Sequence, residues 1–250
     1  LDAGAAGADG GAMSLKNARV LIIGGTSGIG LGVATAVADR GGIPIVASRR
    51  QSSVDHALST LPDSARGMTV DLTDTTALDQ LAEEVGAIEH LVYTAGDTLE
   101  LAPLSALTPE AINNFMLVRF VGALTAIRVF APQITPGGSI TLTSGTAAER
   151  PGLGVLPTGV CGAVNAMTRA LALELAPLRV NTVAPGPIRT PLWDTLSEAD
   201  RQTVYEQFAS QLPVGRIGEV GDTARAYVYL MEQEFGTGVV LTVDGGSTLS

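Results

Sequence analysis

Seven short runs of β-branched and aliphatic residues punctuate the chain: ARVLIIGG, IPIVAS, GMTVDL, HLVYTAG, GSITLTSG, RVNTVAPG and VVLTVDGG. Each has the length and composition of a buried strand. Between them, apolar positions recur at the three- and four-residue spacing of helices. DTTALDQLAEEVG carries Asp74 as its cap, TPEAINNFMLVRFVGALTAIRVFAP opens with Thr108 and Pro109 as cap and first turn, and CGAVNAMTRALALELAP is apolar along one face. Strands alternating with helices predict an α/β fold, a doubly wound parallel sheet in a single domain, with ligands at the carboxyl ends of the strands.

Composition narrows the picture. At 250 residues with 30 glycines the chain suits one α/β domain with tight strand-to-helix turns. The opening LDAGAAGADGGA, residues 1–12, is small, aperiodic and reads as an expression scar or disordered lead, leaving 13–250 for the fold. Apolar runs read as falling short of the roughly 20 residues that span a bilayer, so the positive mean hydropathy is assigned to buried strands and helix faces, with no membrane partner. One cysteine, Cys161, excludes an internal disulfide framework, and two distant histidines make no zinc pattern, so no metal is expected and a cytoplasmic location is. A formal charge of −10 and no basic cluster beyond Arg49-Arg50 argue against nucleic acid.

The first strand runs into GGTSGIG. Gly24, Gly28 and Gly30, with Thr26, Ser27 and Ile29 between them, stand between strand and helix where a tight turn brings backbone N–H groups to a pyrophosphate. At the end of the second strand an acidic residue would accept the ribose hydroxyls of NAD(H), but the chain has Ser48, Arg49 and Arg50. Guanidinium groups form paired, charge-assisted bonds to phosphate oxygens, which points to the 2′-phosphate of NADP(H). Two solvated arginines at a helix start are the plainer alternative.

From Leu15 to the C-terminus the chain resembles the short-chain dehydrogenase/reductase family, whose fold is Rossmann-like. GGTSGIG is similar to the family's TGxxxGIG, with Ile23 in place of threonine, and YTAG, ending in Ala95 and Gly96, resembles NNAG. VDLTD places Asp71 and Leu72 where the family contacts adenine. RVNTVAPGPIRTPL puts Pro185, Gly186, Ile188 and Thr190 at the nicotinamide carboxamide. The resemblance implies a small-molecule substrate and a homodimer or homotetramer paired through long central helices.

Family members usually reduce a carbonyl with four side chains. A tyrosine donates the proton, a lysine lowers its pKa and holds the ribose, a serine binds the substrate oxygen and an asparagine holds a water. Ser144 occupies the serine position. The family spacing lands the tyrosine position on Pro157 and the lysine position on Cys161, and Arg119 stands where asparagine belongs. The only lysine is Lys16, and none of Tyr93, Tyr205, Tyr227 and Tyr229 has a lysine four residues on, so no shift of register restores the pair. Proline is tolerated in a helix's first turn, and Cys161 one turn later faces the same side, giving a small, mostly apolar wall. Arg119 offers a charge to polarise a carbonyl or hold a carboxylate, or forms a structural ion pair, but is too basic to be an acid.

The remaining candidates are plainer. Cys161 reads as a core filler and not as a nucleophile, His56 as a solvated helix residue, His90 as lying at the amino end of its strand, and Tyr93 as packed. The segment after Thr190 carries Trp193 and a helix start at Ser197 with Asp200 three later; Trp193, Tyr205 and Phe208 either line a pocket or simply pack. Three functions follow: an NADP(H)-dependent oxidoreductase with a rebuilt proton source, in which Ser144 and Arg119 carry the residual site; an NADP(H)-binding sensor or ligand-binding protein without turnover; or a structural subunit.

Overall fold

The structure, a computed structural model, describes residues 14–74, 76–96 and 102–249. The lead at residues 1–12 lies outside the described residues. All seven expected strands form: β1 (Arg19–Ile23), β2 (Ile43–Ser48), β3 (Arg66–Thr69), β4 (Ile88–Tyr93), β5 (Ile134–Thr143), β6 (Arg179–Pro185) and β7 (Val240–Val243). They pair in parallel in the order β3-β2-β1-β4-β5-β6-β7. The direction of winding reverses between β1 and β4, and the cleft opens where those strands end.

Alternation along β1 shows how the sequence builds two layers. Leu21 and Ile23 enter one core with Leu91, Ile140 and Val180, while Val20 and Ile22 enter the other with Val46, Val92 and Val183. Adjacent residues of a strand face opposite sides, and each side needs its own apolar cover. The first core is covered by α3 (Ala77–Val85), α5 (Gly122–Phe130) and α6 (Val155–Glu174), the second by α1 (Gly28–Ala38), α2 (Gln51–Leu58) and α8 (Val220–Glu232). Two further helices, α4 (Pro109–Met116) and α7 (Glu198–Gln211), stand near the mouth of the cleft.

Helix ends follow side-chain chemistry, with one correction. Thr108 caps α4 by accepting from the Ala111 N–H at 3.1 Å, and Ser197 caps α7 by accepting from the Asp200 N–H at 3.2 Å. Asp74 does not cap α3: the N-cap is Thr76, and the Asp74 carboxylate accepts from the Thr76 N–H and hydroxyl, each at 2.8 Å. An aspartate folding onto the backbone two residues on makes an Asx turn, which here sets up the helix from outside it. At α8, Glu219 and Asp222 form a reciprocal capping box. At its far end the Arg179 guanidinium donates to the Leu230 and Met231 carbonyls at 2.7 and 3.0 Å, satisfying acceptors that the helix leaves open.

The run Pro109–Gln133 also corrects the reading of apolar runs. By length and composition it is apolar enough to cross a bilayer. In the fold its inward positions, Ala123, Ala126, Ile127 and Phe130, are buried in the first core. Between α4 and α5 the helix widens for one turn, Leu117–Val121, into a π-type turn carrying Arg119. Such turns commonly re-aim a side chain at a functional site.

His90 gives the fold a pH dependence. It is 2% exposed, its Nδ1 lies 2.9 Å from Ser139 Oγ, and burial with the nearby Arg179 charge lowers its pKa from 6.5 to about 4. Between those values the unfolded chain binds the proton and the folded protein does not. This contribution is therefore complete above pH 6.5 and disappears as pH falls towards 4. At about 1.4 kcal/mol per pH unit, the full window is worth roughly 3 kcal/mol. Urea unfolding at pH 7 and pH 5 checks this: the native protein should lose about 2 kcal/mol more across the interval than His90→Gln. Parallel losses in both proteins would show that His90 titrates normally.

Candidate functional site

Turns at the carboxyl ends of β1, β2, β4, β5 and β6 enclose a cleft of about 1080 Å³. Gly24 follows β1 directly with φ +86°, and a Cβ there would lie 2.6 Å from the Ala95 backbone nitrogen. A Cβ on Gly30 would lie 2.2 Å from the Gly24 carbonyl oxygen, so α1 starts directly against the turn. Gly28, the first residue of α1, faces the opposite wall: its Cβ would meet Thr190 at 3.5 Å and Pro191 at 3.6 Å. Ser27 makes no side-chain cap and the first turn carries no acidic residue. The N–H groups of that turn and the positive end of the helix therefore remain for an anion.

Along the other arm, Ser48, Arg49 and Arg50 line the cleft where β2 runs into α2. Neither arginine forms an ion pair with any described carboxylate, and both are exposed. Opposite them, Asp71 accepts from the Thr73 N–H and hydroxyl at 2.9 and 2.7 Å. Those bonds, assisted by the Arg49 charge, hold its carboxyl below the usual range. Leu72, Ala95, Gly96, Pro185, Gly186, Ile188 and Thr190 also line the cleft, as do Ser27, Gly28, Ile29 and Gly30. Thr26 does not: it is buried in the turn behind them. Gly186 sits against Asp244, where a Cβ would come within 2.6 Å of the Asp244 backbone.

Ser144 follows the last residue of β5. Its N–H donates to the Val183 carbonyl at 2.9 Å, and its buried Oγ has no hydrogen-bond partner among the described residues. A buried hydroxyl in that state is costly unless something else occupies it. The adjoining Thr143 hydroxyl donates to the Tyr93 carbonyl at 2.7 Å and meets the fully buried Tyr227 hydroxyl at 2.6 Å, tying β4, β5 and α8 together beneath Ser144. Tyr93 itself donates to the Val118 carbonyl, which packs it into the wall.

Pro157 is the third residue of α6, and Cys161, one turn on, faces the cleft beside Gly145. Burial pushes the Cys161 thiol up to about 11, with the Arg119 charge acting the other way. At neutral pH it is a thiol and not a nucleophilic thiolate. The Arg119 guanidinium lies 4.2 Å over the Phe115 ring and against Gly96. Phe115 was not anticipated, yet its spacing of four residues from Arg119 on one helix face was a readable cation–π signal. Thr143, Thr73, Leu153 and Arg150 also line the cleft without having been singled out from the sequence.

The far wall is the segment after β6. Trp193 donates from Nε1 to the Ile188 carbonyl at 2.9 Å and makes edge contacts with Tyr205 at 6.5 Å and Phe208 at 5.7 Å between ring centroids. Trp193 and Phe208 line the cleft, while Tyr205 packs behind them with Arg189 over its ring. His56 and His90 are outside the cleft, and no cluster of metal-ligating side chains occurs among the described residues.

Compared with known proteins, residues 11–250 match the family model described as an SDR-like Rossmann domain. The short-chain dehydrogenase/reductase malC of Malbranchea aurantiaca is 34% identical over 253 residues, covering 94% of this chain and 96% of its own. The solved structure of the MalC reductase/Diels-Alderase from that organism superposes with a TM-score of 0.87 at 34% identity, over 94% of this chain and 98% of that one. An NADPH-bound short chain oxidoreductase from Pseudomonas aeruginosa PAO1, described as containing an atypical catalytic center, is 26% identical with a TM-score of 0.85, over 92% and 96%.

Proposed function

The chain belongs to the short-chain dehydrogenase/reductase family, and from that premise we propose that it is an NADP(H)-dependent oxidoreductase. It acts on a carbonyl or hydroxyl group of a small molecule, with a proton source other than the family's tyrosine. The observation that carries the cofactor assignment is the pair Arg49 and Arg50, lining the cleft at the end of β2 with no carboxylate bound and Ser48 in place of an acid. A 2′-phosphate suits two guanidinium groups and would be repelled by a carboxylate there. An NADPH-bound relative with an atypical catalytic center supports the reading.

The chain's residues fit the dinucleotide along its length. The Gly24 to Gly30 turn and the start of α1 take the pyrophosphate, Asp71 and Leu72 the adenine, and the Pro185 to Thr190 segment with Ala95 and Gly96 the nicotinamide end. One fit is poorer: Cys161 cannot bond the nicotinamide ribose as a lysine would. The bound cofactor supplies or accepts a hydride, and the protein's task is position. The Ser144 hydroxyl donates to the substrate oxygen and Arg119 stabilises charge developing on it. Pro157, Val160 and Cys161 form a wall that excludes water from that side. With the Cys161 thiol at about 11 and Arg119 a guanidinium that stays protonated, the proton comes from water at the cleft mouth or from the substrate. Pairing into a homodimer or homotetramer through the long α4–α5 run is supported by the outward Val121 and Leu124, 46% and 37% exposed.

The lack of a near-neutral acid among the described cleft residues favours a second reading, an NADP(H)-binding protein without turnover. Transfer of deuterium from labelled NADPH to a panel of ketones separates the two. Label in the product alcohol supports the enzyme; no transfer to a ketone shown to bind beside the cofactor removes it.

A further inference from the structure

Resting on the reading of this cleft as a substrate site, we infer that it takes a rigid, largely apolar ring system bearing one hydride-accepting oxygen, and not a polyol or sugar. The argument is an inventory of what the cleft offers a ligand. The cleft, about 1080 Å³, continues beyond the cofactor-binding turn to Ser144, Leu153 and Phe208, which leaves a second molecule a place beside the dinucleotide. Around Ser144 the walls are apolar on both sides: Leu153, Pro157 and Val160 on one, Leu192, Trp193 and Phe208 on the other.

Among the described residues, the polar lining of this half beyond Ser144 and Arg119 is the buried Thr146, the half-buried Arg150 and, at the exposed rim, Asp194 and Thr195. The Ser144 hydroxyl, buried and without a partner among the described residues, stands in the same pocket as the Arg119 guanidinium. Together they serve one oxygen. A sugar would bring several hydroxyls against carbon, and each one left unmet weakens binding about tenfold or more. Among the described residues, Asp194 is the acidic one lining this half, and it is already held by Arg201.

Rigidity follows from how the far wall is fixed. The Trp193 indole is bonded to the Ile188 carbonyl and braced edge-on by Tyr205 and Phe208, so it presents a preformed flat wall. Opposite it, Pro157 is a ring without rotamer freedom to lose. Preformed walls favour a ligand that is itself rigid, because neither partner then loses much freedom on binding. At the mouth, Leu153 and Leu192 are 42% and 36% exposed, apolar surface that such a ligand would cover.

Trp193 is the chain's sole tryptophan, so its fluorescence reports occupancy directly. The test titrates the full chain, with and without NADP⁺, with a tetracyclic steroid ketone, a straight-chain ketone of equal carbon number and a ketohexose, by fluorescence and calorimetry. The inference expects the steroid ketone to bind at least tenfold more tightly than the straight-chain ketone and a hundredfold more tightly than the sugar. Phe208→Ala and Leu192→Gln should each weaken the steroid ketone tenfold or more while leaving NADP⁺ affinity within threefold. Equal or tighter sugar binding, preference for the straight chain, or ketone binding insensitive to both substitutions would overturn it. Ring-ketone binding in a protein that does not bind NADP⁺ would sink the oxidoreductase reading and leave this inference standing; NADP⁺ binding without any ring-ketone binding would do the reverse.

Discussion

Replacing Pro157 by tyrosine and Cys161 by lysine together should raise the rate of ketone reduction by about 10²–10⁴, the usual contribution of one positioned proton donor. The geometry supports the pair: both residues lie on the cleft-facing side of α6, one turn apart, and share the pocket with Ser144. Proline can leave the first turn of a helix without loss of a hydrogen bond, since its nitrogen is in a position that the helix leaves unpaired. A phenol at 157 beside an ammonium at 161 would titrate lower than a free tyrosine and give the substrate oxygen a proton within reach. Pro157→Tyr alone should yield less. Cys161→Lys alone should yield nothing, because it places a second cation near Arg119 and supplies no acid. Adding Arg119→Asn to the double variant relieves that repulsion and should raise the rate further. Steady-state NADPH oxidation against an activated ketone reads all four. A double variant that folds, binds NADPH and is no faster would show that Pro157 and Cys161 do not stand in the proton-donor and lysine places.

The contrast between what was legible in the chain and what was not follows the range of the interactions involved. Strand positions, the glycine turn and the caps at Thr108 and Ser197 are local, decided by residues within about one turn, and they stand where the patterns place them. The sheet order follows from alternation and the handedness of crossovers. Two features escaped because their causes are elsewhere. A π-type turn at Leu117–Val121 shifts one hydrogen bond without disturbing the 3.6-residue period enough to be seen. Thr143 matters through Tyr227, 84 positions away, a pairing that exists only once α8 packs on the sheet. The start of α6 at Val155, by contrast, puts Pro157 in the first turn and Cys161 one turn later, where the tolerance of a helix's first turn for proline places them. In the candidate site, residue types were legible wherever the backbone performs the function, and least legible where two side chains from distant segments act together, as at Arg119 and Cys161.

The second large effect concerns the cofactor. Substituting both Arg49 and Arg50 by alanine should weaken NADPH binding about a hundredfold and leave NADH within about threefold of its original affinity. A charge-assisted hydrogen bond contributes about 1.5–3 kcal/mol. Both arginines are exposed at the cleft edge, so solvent screening sets each near the lower value and the two together at about 3 kcal/mol, a factor of roughly 10². Because the interaction is with a phosphate at the surface, the native preference for NADPH should also shrink as salt rises, while the double variant shows little salt dependence. Ser48→Asp in the alanine background should then raise NADH affinity, since a carboxylate at the end of β2 accepts both ribose hydroxyls. Calorimetric titration with each nucleotide at low and high salt distinguishes the causes. If NADPH and NADH weaken together, the substitutions have disturbed the start of α2 and the arginines support the turn; if neither changes, both side chains are solvated and selectivity resides elsewhere. Selective loss of NADPH alone places the 2′-phosphate at Arg49 and Arg50, and the same titration run on the Pro157→Tyr, Cys161→Lys protein separates what the ribose lysine adds from what the phosphate site already provides.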